Sequence, residues 1–267
     1  MYLITKKQKL AENTYLMQIE APSIAKKAQP GQFVILKIDE KGERIPLTIA
    51  DYDKKTITVI VLVVGRTTKL LSHLKKGDYL MDLLGPLGNK SEIKEYGTVC
   101  LVGGGVGIAP IYPIAKALKK AKNNIITIIG AKNKNLLFWE DRFNEISDKL
   151  IVCTDDGSKG RKGFVSDALK ELINKEKPNR VIAVGPVIMM KVISDLTRSI
   201  VKTFVSLNPI MIDGIGMCGC CRVVVDDMIK FTCCDGPEFD GHMVDWDELI
   251  NRNKTYTEEE KIAKKTL

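Results

Sequence analysis

The chain has 267 residues, 45% of them hydrophobic and 28% charged, with a formal net charge of +8. That balance marks an ordinary soluble protein with room for two domains and a small third. Lys and Arg are spread along the whole chain with no aromatic-basic platform, so a solvated surface is expected and nucleic acid is not; an acidic small redox partner is a lesser use of the charge. The start, Met1-Tyr-Leu-Ile-Thr-Lys-Lys, lacks the apolar core of a secretion signal. No run of about 18 apolar residues is present to span a bilayer, so a cytoplasmic protein without membrane contact is expected.

From Met1 to about residue 97 the pattern is short strands broken by turn residues, which predicts an antiparallel β-barrel or sandwich, the barrel being the expected form. Leu10 to Ile19, Gln32 to Ile38 and Thr56 to Val64 read as strands, with Pro30-Gly31 and Asp51 to Lys55 between them. Arg44-Ile-Pro46-Leu47-Thr48 is a proline-braced strand, and Val63-Val-Gly65-Arg-Thr67-Thr68 leads into a helix at Lys69 to Leu74. The hydroxyls of Thr67 and Thr68 stand where they can cap that helix or meet a phosphate. Gly85-Pro-Leu-Gly88 reads as a tight turn closing the domain.

At Thr98 the period changes. Strands at Thr98 to Val102, Asn124 to Gly130, Leu150 to Thr154, Arg180 to Val184 and Thr203 to Leu207 alternate with helices at Ile111 to Lys120, Leu136 to Ile146, Val165 to Asn174 and Val187 to Thr197. This order predicts an α/β domain with a parallel sheet over residues 98–207, binding ligands at the carboxyl ends of its strands. The glycine-rich features sit at those ends: Gly103-Gly104-Gly105-Val-Gly107, Gly130-Ala131, Asp155-Asp156-Gly157 and Gly185-Pro186. Pro110 stands where the last glycine of a G-x-G-x-x-G fingerprint belongs, so the elbow alone is a weak motif; four such loops at one edge favour a dinucleotide.

Five of the seven cysteines fall within 17 residues, in Cys218-Gly-Cys220-Cys221 and Cys233-Cys234, whereas Cys100 and Cys153 stand alone in apolar segments. The Cys218 and Cys221 pair is spaced to grip a metal centre, a third thiol returns along a short hairpin, and glycines 214, 216 and 219 free the backbone to approach inorganic sulfide. Neighbouring cysteines in extended chain point to opposite faces, which makes Cys220 and Cys234 bystanders. Cys218, Cys221 and Cys233 remain, with Asp213 as a harder fourth donor. Structural disulfides and a zinc knuckle are the other readings of these residues. The expected layout is thus a barrel over 1–97, an α/β domain over 98–207, a small loop domain over 208–247, and a charged helix or tail over 248–267.

In this order, the Pro-Leu-Thr strand, the Gly-x-Thr-Thr helix start, Gly-Gly-Val-Gly-Ile-Ala-Pro, Thr-Asp-Asp-Gly, Gly-Pro-x-x-Met-Met and Cys-x-Asp-Gly-Pro resemble the ferredoxin-NADP reductase superfamily. Within it the likeness is to the iron-sulfur electron-transfer subunits of dihydroorotate dehydrogenase B and to the small subunits of NADH-dependent reduced ferredoxin:NADP oxidoreductases, over about residues 1 to 247. The resemblance implies FAD against Pro46, Leu47 and Thr48, with Arg44, Val63, Gly65, Thr67 and Thr68 also contacting it. It implies NAD(H) at Gly103, Gly104, Gly105, Gly107, Ile108, Ala109, Pro110, Asp155, Gly185, Pro186 and Met189, and a [2Fe-2S] cluster on Asp213, Cys218, Cys221 and Cys233. Many relatives carry Arg three residues before the hydroxyl of the flavin strand; here that position is Ile45 and the arginine is Arg44. Where the dihydroorotate subunits begin the cluster loop with Cys, this chain has Asp213, as the ferredoxin:NADP subunits do.

The resemblance further implies a converter between two-electron and one-electron chemistry, with no catalytic acid or base. Its expected partner is a larger flavoprotein that resembles the small subunit of glutamate synthase and holds [4Fe-4S] clusters, reaching ferredoxin through the complex by electron bifurcation. NAD is expected over NADP, because Gly130-Ala-Lys-Asn-Lys-Asn lacks an Arg and Ser pair for a 2′-phosphate. A dihydroorotate dehydrogenase B subunit is the alternative, and a zinc-knuckle nucleic-acid-binding protein a remote one. Neither His73 nor His242 sits at metal spacing, and both are read as surface or capping residues.

Overall fold

The computed structural model describes residues 1–256, 259 and 262, and divides into two compact units. The first joins Met1–Lys90 with Asn208–Pro237 and the chain from Asp245 onward; the second joins Ser91–Leu207 with Glu238–Val244. The division is therefore two-part: most of the cysteine segment belongs with the barrel, and seven residues after it return to the other unit. Among the described residues no helix is long and apolar enough to cross a membrane.

In the first unit, strands β1 (Tyr2–Ala11), β2 (Thr14–Glu20), β3 (Phe33–Lys37), β4 (Ile45–Thr48), β5 (Asp51–Tyr52), β6 (Thr56–Leu62), β7 (Tyr79–Leu80) and β8 (Asp82–Leu87) accompany helices α1 (Pro22–Ala25) and α2 (Arg66–His73). They form two antiparallel sheets, ordered β5-β6-β2-β1-β7 and β4-β3-β8, around one core that includes Ile4, Met17, Ile19, Val34, Leu36, Val59 and Leu71. Alternation along β3 gives it two uses. Val34 and Leu36 enter this core, while Phe33 and Ile35 face the other way, into a second cluster with Met211, Cys221 and Cys233.

Two expectations fail here for local reasons. Leu10 to Ile19 is not one strand but straddles a hairpin, because Asn13 takes a left-handed φ of 53° and Ala11 pairs with Thr14. Gly85 to Leu87 is not a turn but the end of β8, at a register irregularity against β3. A Cβ on Gly85 would stand 2.7 Å from Val34 Cγ1, so glycine there permits close strand approach.

The cysteine segment completes the first unit. Strands β15 (Arg222–Val225) and β16 (Met228–Phe231) form a hairpin about Asp226 and Asp227, both at left-handed φ, followed by the helical turn α7 (Thr232–Asp235). Helix α8 (Trp246–Arg252) is capped by Asp245, whose carboxylate accepts from the N–H groups of Asp247 and Glu248, and buries Trp246 and Leu249. The start of the expected charged tail is thus an ordered, N-capped helix, while residues 257, 258, 260, 261 and 263–267 of that tail lie outside the described residues.

The second unit is a seven-stranded sheet ordered β12-β11-β10-β9-β13-β14-β17, built from β9 (Thr98–Gly104), β10 (Asn124–Ala131), β11 (Lys149–Thr154), β12 (Arg161–Lys162), β13 (Arg180–Val184), β14 (Thr203–Ser206) and β17 (Glu238–Asp240). All pairings are parallel except β14 with β17. Helices α3 (Ile108–Lys120), α4 (Glu140–Ile146), α5 (Val165–Lys175) and α6 (Val187–Thr197) are the crossovers. Helix α4 starts four residues later than expected because Trp139 is left-handed at φ 62°. Its ring, in contact with Tyr112, lies under the Arg142 guanidinium.

Sequence reading also missed the returning strand β17, too short and too polar to declare itself. It brings Glu238 to Ser91, whose hydroxyl donates to the carboxylate. Nearby, the buried Arg180 lies between the rings of Tyr96, 3.9 Å away, and Phe204, 4.3 Å away, and reaches Glu92 at 3.2 Å. Burial pushes the Glu238 carboxyl above its ordinary value, opposed by the Ser91 hydrogen bond and the Arg180 charge. A raised acid contributes stability while protonated and loses it as pH rises through the raised value. Glu238→Gln, which stays neutral, should therefore gain melting temperature on the wild type as pH rises from about 4 to about 7; a constant difference across that range contradicts the raised value.

Candidate functional site

In the first unit, the segment from Met211 to Pro237 is seated on β3 and β8 by close backbone approach. A Cβ on Gly214, at φ 73°, would stand 2.7 Å from Ile35 and 3.0 Å from Leu87. One on Gly216, at φ 84°, would stand 2.7 Å from Cys234 Sγ. Both glycines are needed for conformation and for space. From the other side Asn89 holds the returning chain: its N–H donates to Gly236 O at 2.7 Å and its side chain to Cys234 O at 3.0 Å. None of Ile35, Leu87 and Asn89 was legible as a site residue, because each acts across more than a hundred residues of sequence.

The candidate ligands fall into two pairs. Cys221 and Cys233 are buried at the foot of the hairpin with sulfurs 3.2 Å apart, in contact but too far for a disulfide bond. Asp213 accepts from the N–H of Ile215 at 2.9 Å and from the N–H of Cys218 at 2.5 Å. Burial raises the Asp213 carboxyl, but these bonds outweigh it and hold the group below its ordinary value, so it stands as an anion. Among the described residues, no three His, Cys, Asp or Glu side chains gather at the spacing of a single ion. Two separated donor pairs of one carboxylate and three thiols fit a two-iron centre.

The bystanders are closer than expected. Cys233 and Cys234 lie in the helical turn α7, not in extended chain, so their sulfurs stand 3.6 Å apart instead of on opposite faces. Cys220 Sγ is 3.9 Å from the Cys218 carbonyl oxygen. Burial and then the sulfurs of Cys221 and Cys234 push the Cys233 thiol up; the Cys218 thiol and then burial push Cys220 up. Such crowded sulfurs hold their protons until a cation takes their place, the behaviour expected of a thiolate metal site.

Strand β4 lies beside β3, with Ile35 opposite Pro46 and Phe33 opposite Thr48. Pro46 and Thr48 therefore share the face that carries the cysteine segment, whereas Leu47 packs with the barrel core and offers an outer ligand only its backbone. Ile45 to Thr48 are all half-buried, unlike the covered β3 residues Phe33 to Leu36. Arg44 pairs with Asp82 at 3.3 Å. At the start of α2, Thr68 Oγ1 accepts from Gly65 N at 2.9 Å, and the buried Thr67 hydroxyl donates to Glu43. Both hydroxyls are thus engaged in capping and packing, and the free N–H groups of the first turn are what remains for a phosphate. Beside them Val63 is half-exposed and Val64 exposed, an apolar wall for a ring system.

In the second unit, the elbow between β9 and α3 divides its glycines between two tasks. A Cβ would stand 2.9 Å from the Ile108 backbone at Gly103, 2.3 Å from Met189 Sδ at Gly104, and 2.1 Å from Val184 O at Gly107. Gly105, at φ 57°, meets nothing within 4 Å. Packing thus demands three of the four, and Gly105 alone faces open space where a pyrophosphate can approach. Ile108 and Ala109 are buried, Pro110 is half-exposed, and Asp155 is exposed just past β11. Met189 lies against Gly104 and Gly185, next to Pro186 at the start of α6. Of the histidines, His73 ends α2, and His242 Nε2 lies 3.1 Å from the Thr197 hydroxyl.

Because the Val184 carbonyl is backbone, Gly107→Ala should cost about 3 kcal/mol or more and lower the melting temperature sharply. Gly105→Ala should cost only about 1 to 2 kcal/mol, from its left-handed backbone, while weakening NADH binding measured by fluorescence titration. Equal losses of stability in the two variants contradict this division of roles.

Comparison with known proteins finds two domain families and several relatives. Residues 208–245 match the iron-sulfur cluster binding domain of dihydroorotate dehydrogenase B, and residues 101–195 match the oxidoreductase NAD-binding domain. The chain is 56% identical over 263 residues to a dihydroorotate dehydrogenase B (NAD(+)) electron transfer subunit homolog of Thermotoga maritima, covering 97% of this chain and 93% of that protein. It is 34% identical to the dihydroorotate dehydrogenase B electron transfer subunit of Fusobacterium nucleatum, covering 86% and 92%. Among solved structures, a chain of an NADH-dependent reduced ferredoxin-NADP oxidoreductase studied for flavin-based electron bifurcation superposes with a TM-score of 0.95 at 54% identity, covering 100% and 97%. Phthalate dioxygenase reductase, at 17% identity and a TM-score of 0.64 over 84% and 86%, shares the fold. The chain belongs to the family of dihydroorotate dehydrogenase B electron transfer subunits and their homologues, oxidoreductase subunits built on a ferredoxin reductase-like fold.

Proposed function

We propose that this chain is the FAD- and [2Fe-2S]-containing subunit of an NADH-dependent reduced ferredoxin:NADP oxidoreductase, joining NAD(H) to a larger partner subunit. The observation that carries this reading is the match over the whole chain, at 54% identity and a TM-score of 0.95, to a structure of that enzyme. Six relatives named as dihydroorotate dehydrogenase B electron transfer subunits, one of them as probable, are 31% to 35% identical.

A flavin held beside Pro46 and Thr48 would supply hydride exchange with NADH, and a cluster held by Asp213, Cys218, Cys221 and Cys233 would supply one-electron transfer. The chain's own residues bind and orient these groups. Asp213, Cys218, Cys221 and Cys233 are the cluster ligands. The Ile215 and Cys218 N–H groups keep the Asp213 carboxylate ionised and aimed, so no proton must leave it when iron binds. Pro46 and Thr48 present the flavin-side face, and the first turn of α2 takes the FAD phosphates through its N–H groups, with Val63, Gly65, Thr67 and Thr68 shaping that turn. Arg44 is tied to Asp82, so it borders the flavin as a paired charge. Gly105 admits the pyrophosphate of NAD(H), while Gly103, Gly104, Gly107 and the Ile108 to Pro110 turn hold the elbow rigid. Asp155, Gly185, Pro186 and Met189 line the same strand ends.

The partner in this reading is a larger flavoprotein with [4Fe-4S] clusters, resembling the small subunit of glutamate synthase, and ferredoxin is reached through the complex. Tagging this chain in its native host and purifying without oxygen should bring down such a protein in equal amount. Recovery of a small FMN-containing barrel instead contradicts the assignment and supports a dihydroorotate dehydrogenase B subunit. For the ligand set, Asp213→Cys should shift the paramagnetic resonance spectrum of the reduced cluster; an unchanged spectrum removes Asp213 from the iron.

A further inference from the structure

Helix α8 lies beyond the residues matched by the iron-sulfur domain, which end at Asp245. Its placement gives it work at the cysteines. Asp245 N–H donates to Val224 O at 2.9 Å, anchoring the helix start on the hairpin strand β15, and Trp246 and Leu249 are buried. One helical turn after Glu248, Arg252 donates from Nη2 to the carbonyl oxygen of Cys220 at 3.0 Å. That carbonyl belongs to the peptide joining Cys220 to Cys221. The Arg252 Nε lies 3.6 Å from Glu248, too far for a hydrogen bond, and Nε and Glu248 Oε2 are both buried without a hydrogen-bond partner. Their side chains are 22% and 31% exposed. The guanidinium thus donates its hydrogen bond to the cysteine peptide while standing in an ion pair with Glu248 of its own helix.

We propose that Arg252, offset by Glu248, is a positioning residue for the cluster, fixing the Cys220–Cys221 peptide and setting the reduction potential through its charge. The proposal rests on the reading of Cys221 as a cluster ligand. An arginine bonded to the carbonyl of a ligand's own peptide polarises that peptide and places a positive charge one residue from the ligand. Reduction adds negative charge to the cluster, so a nearby cation favours the reduced form and raises the potential, and a nearby anion lowers it. Partial burial keeps this effect from being screened away by salt.

The test is a redox titration of the purified full chain, followed by the paramagnetic resonance of the reduced cluster, in the wild type, Arg252→Gln and Glu248→Gln. Arg252→Gln should move the midpoint potential negative and Glu248→Gln should move it positive. Shifts of the same sign, or none in either variant, overturn the proposal, because a merely structural role has no reason to follow charge. Should Arg252→Gln fail to retain its cluster, Glu248→Gln decides alone: a positive shift supports the proposal and any other result overturns it. A wild-type chain that binds no iron when reconstituted overturns the cluster reading itself and this inference with it, and is distinguished by the wild-type sample alone.

Discussion

The structure depends on the two faces of one short strand. Along β3, Val34 and Leu36 close the barrel core, and Phe33 and Ile35, between them in sequence, floor the cysteine segment. Period-two alternation makes the two sets inseparable: a one-residue slip in the pairing of β3 would exchange them and bury the wrong face on both sides. Gly85 and Gly214 show how tight this arrangement is, one letting β8 approach β3 and the other letting the cysteine loop settle on Ile35. Holding thiols against a barrel strand whose neighbour carries Pro46 and Thr48 brings two candidate redox sites into one compact unit. A rigid seat suits electron transfer, which needs fixed geometry more than it needs acid-base groups.

Much of this was legible in the sequence. The parallel sheet and its order of strands and helices follow from the shift in periodicity at Thr98, and the crossover strands are apolar enough to announce themselves. The density of cysteines and glycines around Cys218 marked a metal site without any structure. What could not be read was whatever depends on chain returning from far away. Strand β17 is three residues long, and only its pairing with β14 identifies it. Extended chain would point Cys233 and Cys234 apart, whereas a single helical turn brings their sulfurs together.

The glycine elbow carries a more general lesson. A run of four glycines around a strand end invites the reading that each one makes room for a phosphate. Three of them instead make room for the protein itself: for Ile108, for Met189 and for the Val184 carbonyl. The signal in the sequence was real, but it reported mainly how closely α3 and α6 pack on the strand ends. Likewise the hydroxyls of Thr67 and Thr68, attractive as phosphate donors, are held by Glu43 and by the cap of α2. In both places the backbone N–H groups, invisible in a residue-by-residue reading, carry the capacity for anion binding.

The central claim is that the thiol-rich hairpin carries iron and inorganic sulfide in a chain that also binds a flavin. Metal, sulfide and flavin analysis of the full chain purified without oxygen tests it most directly. The claim predicts iron and acid-labile sulfide in equal amounts, with FAD released on denaturation. Stoichiometric zinc with neither sulfide nor flavin contradicts it.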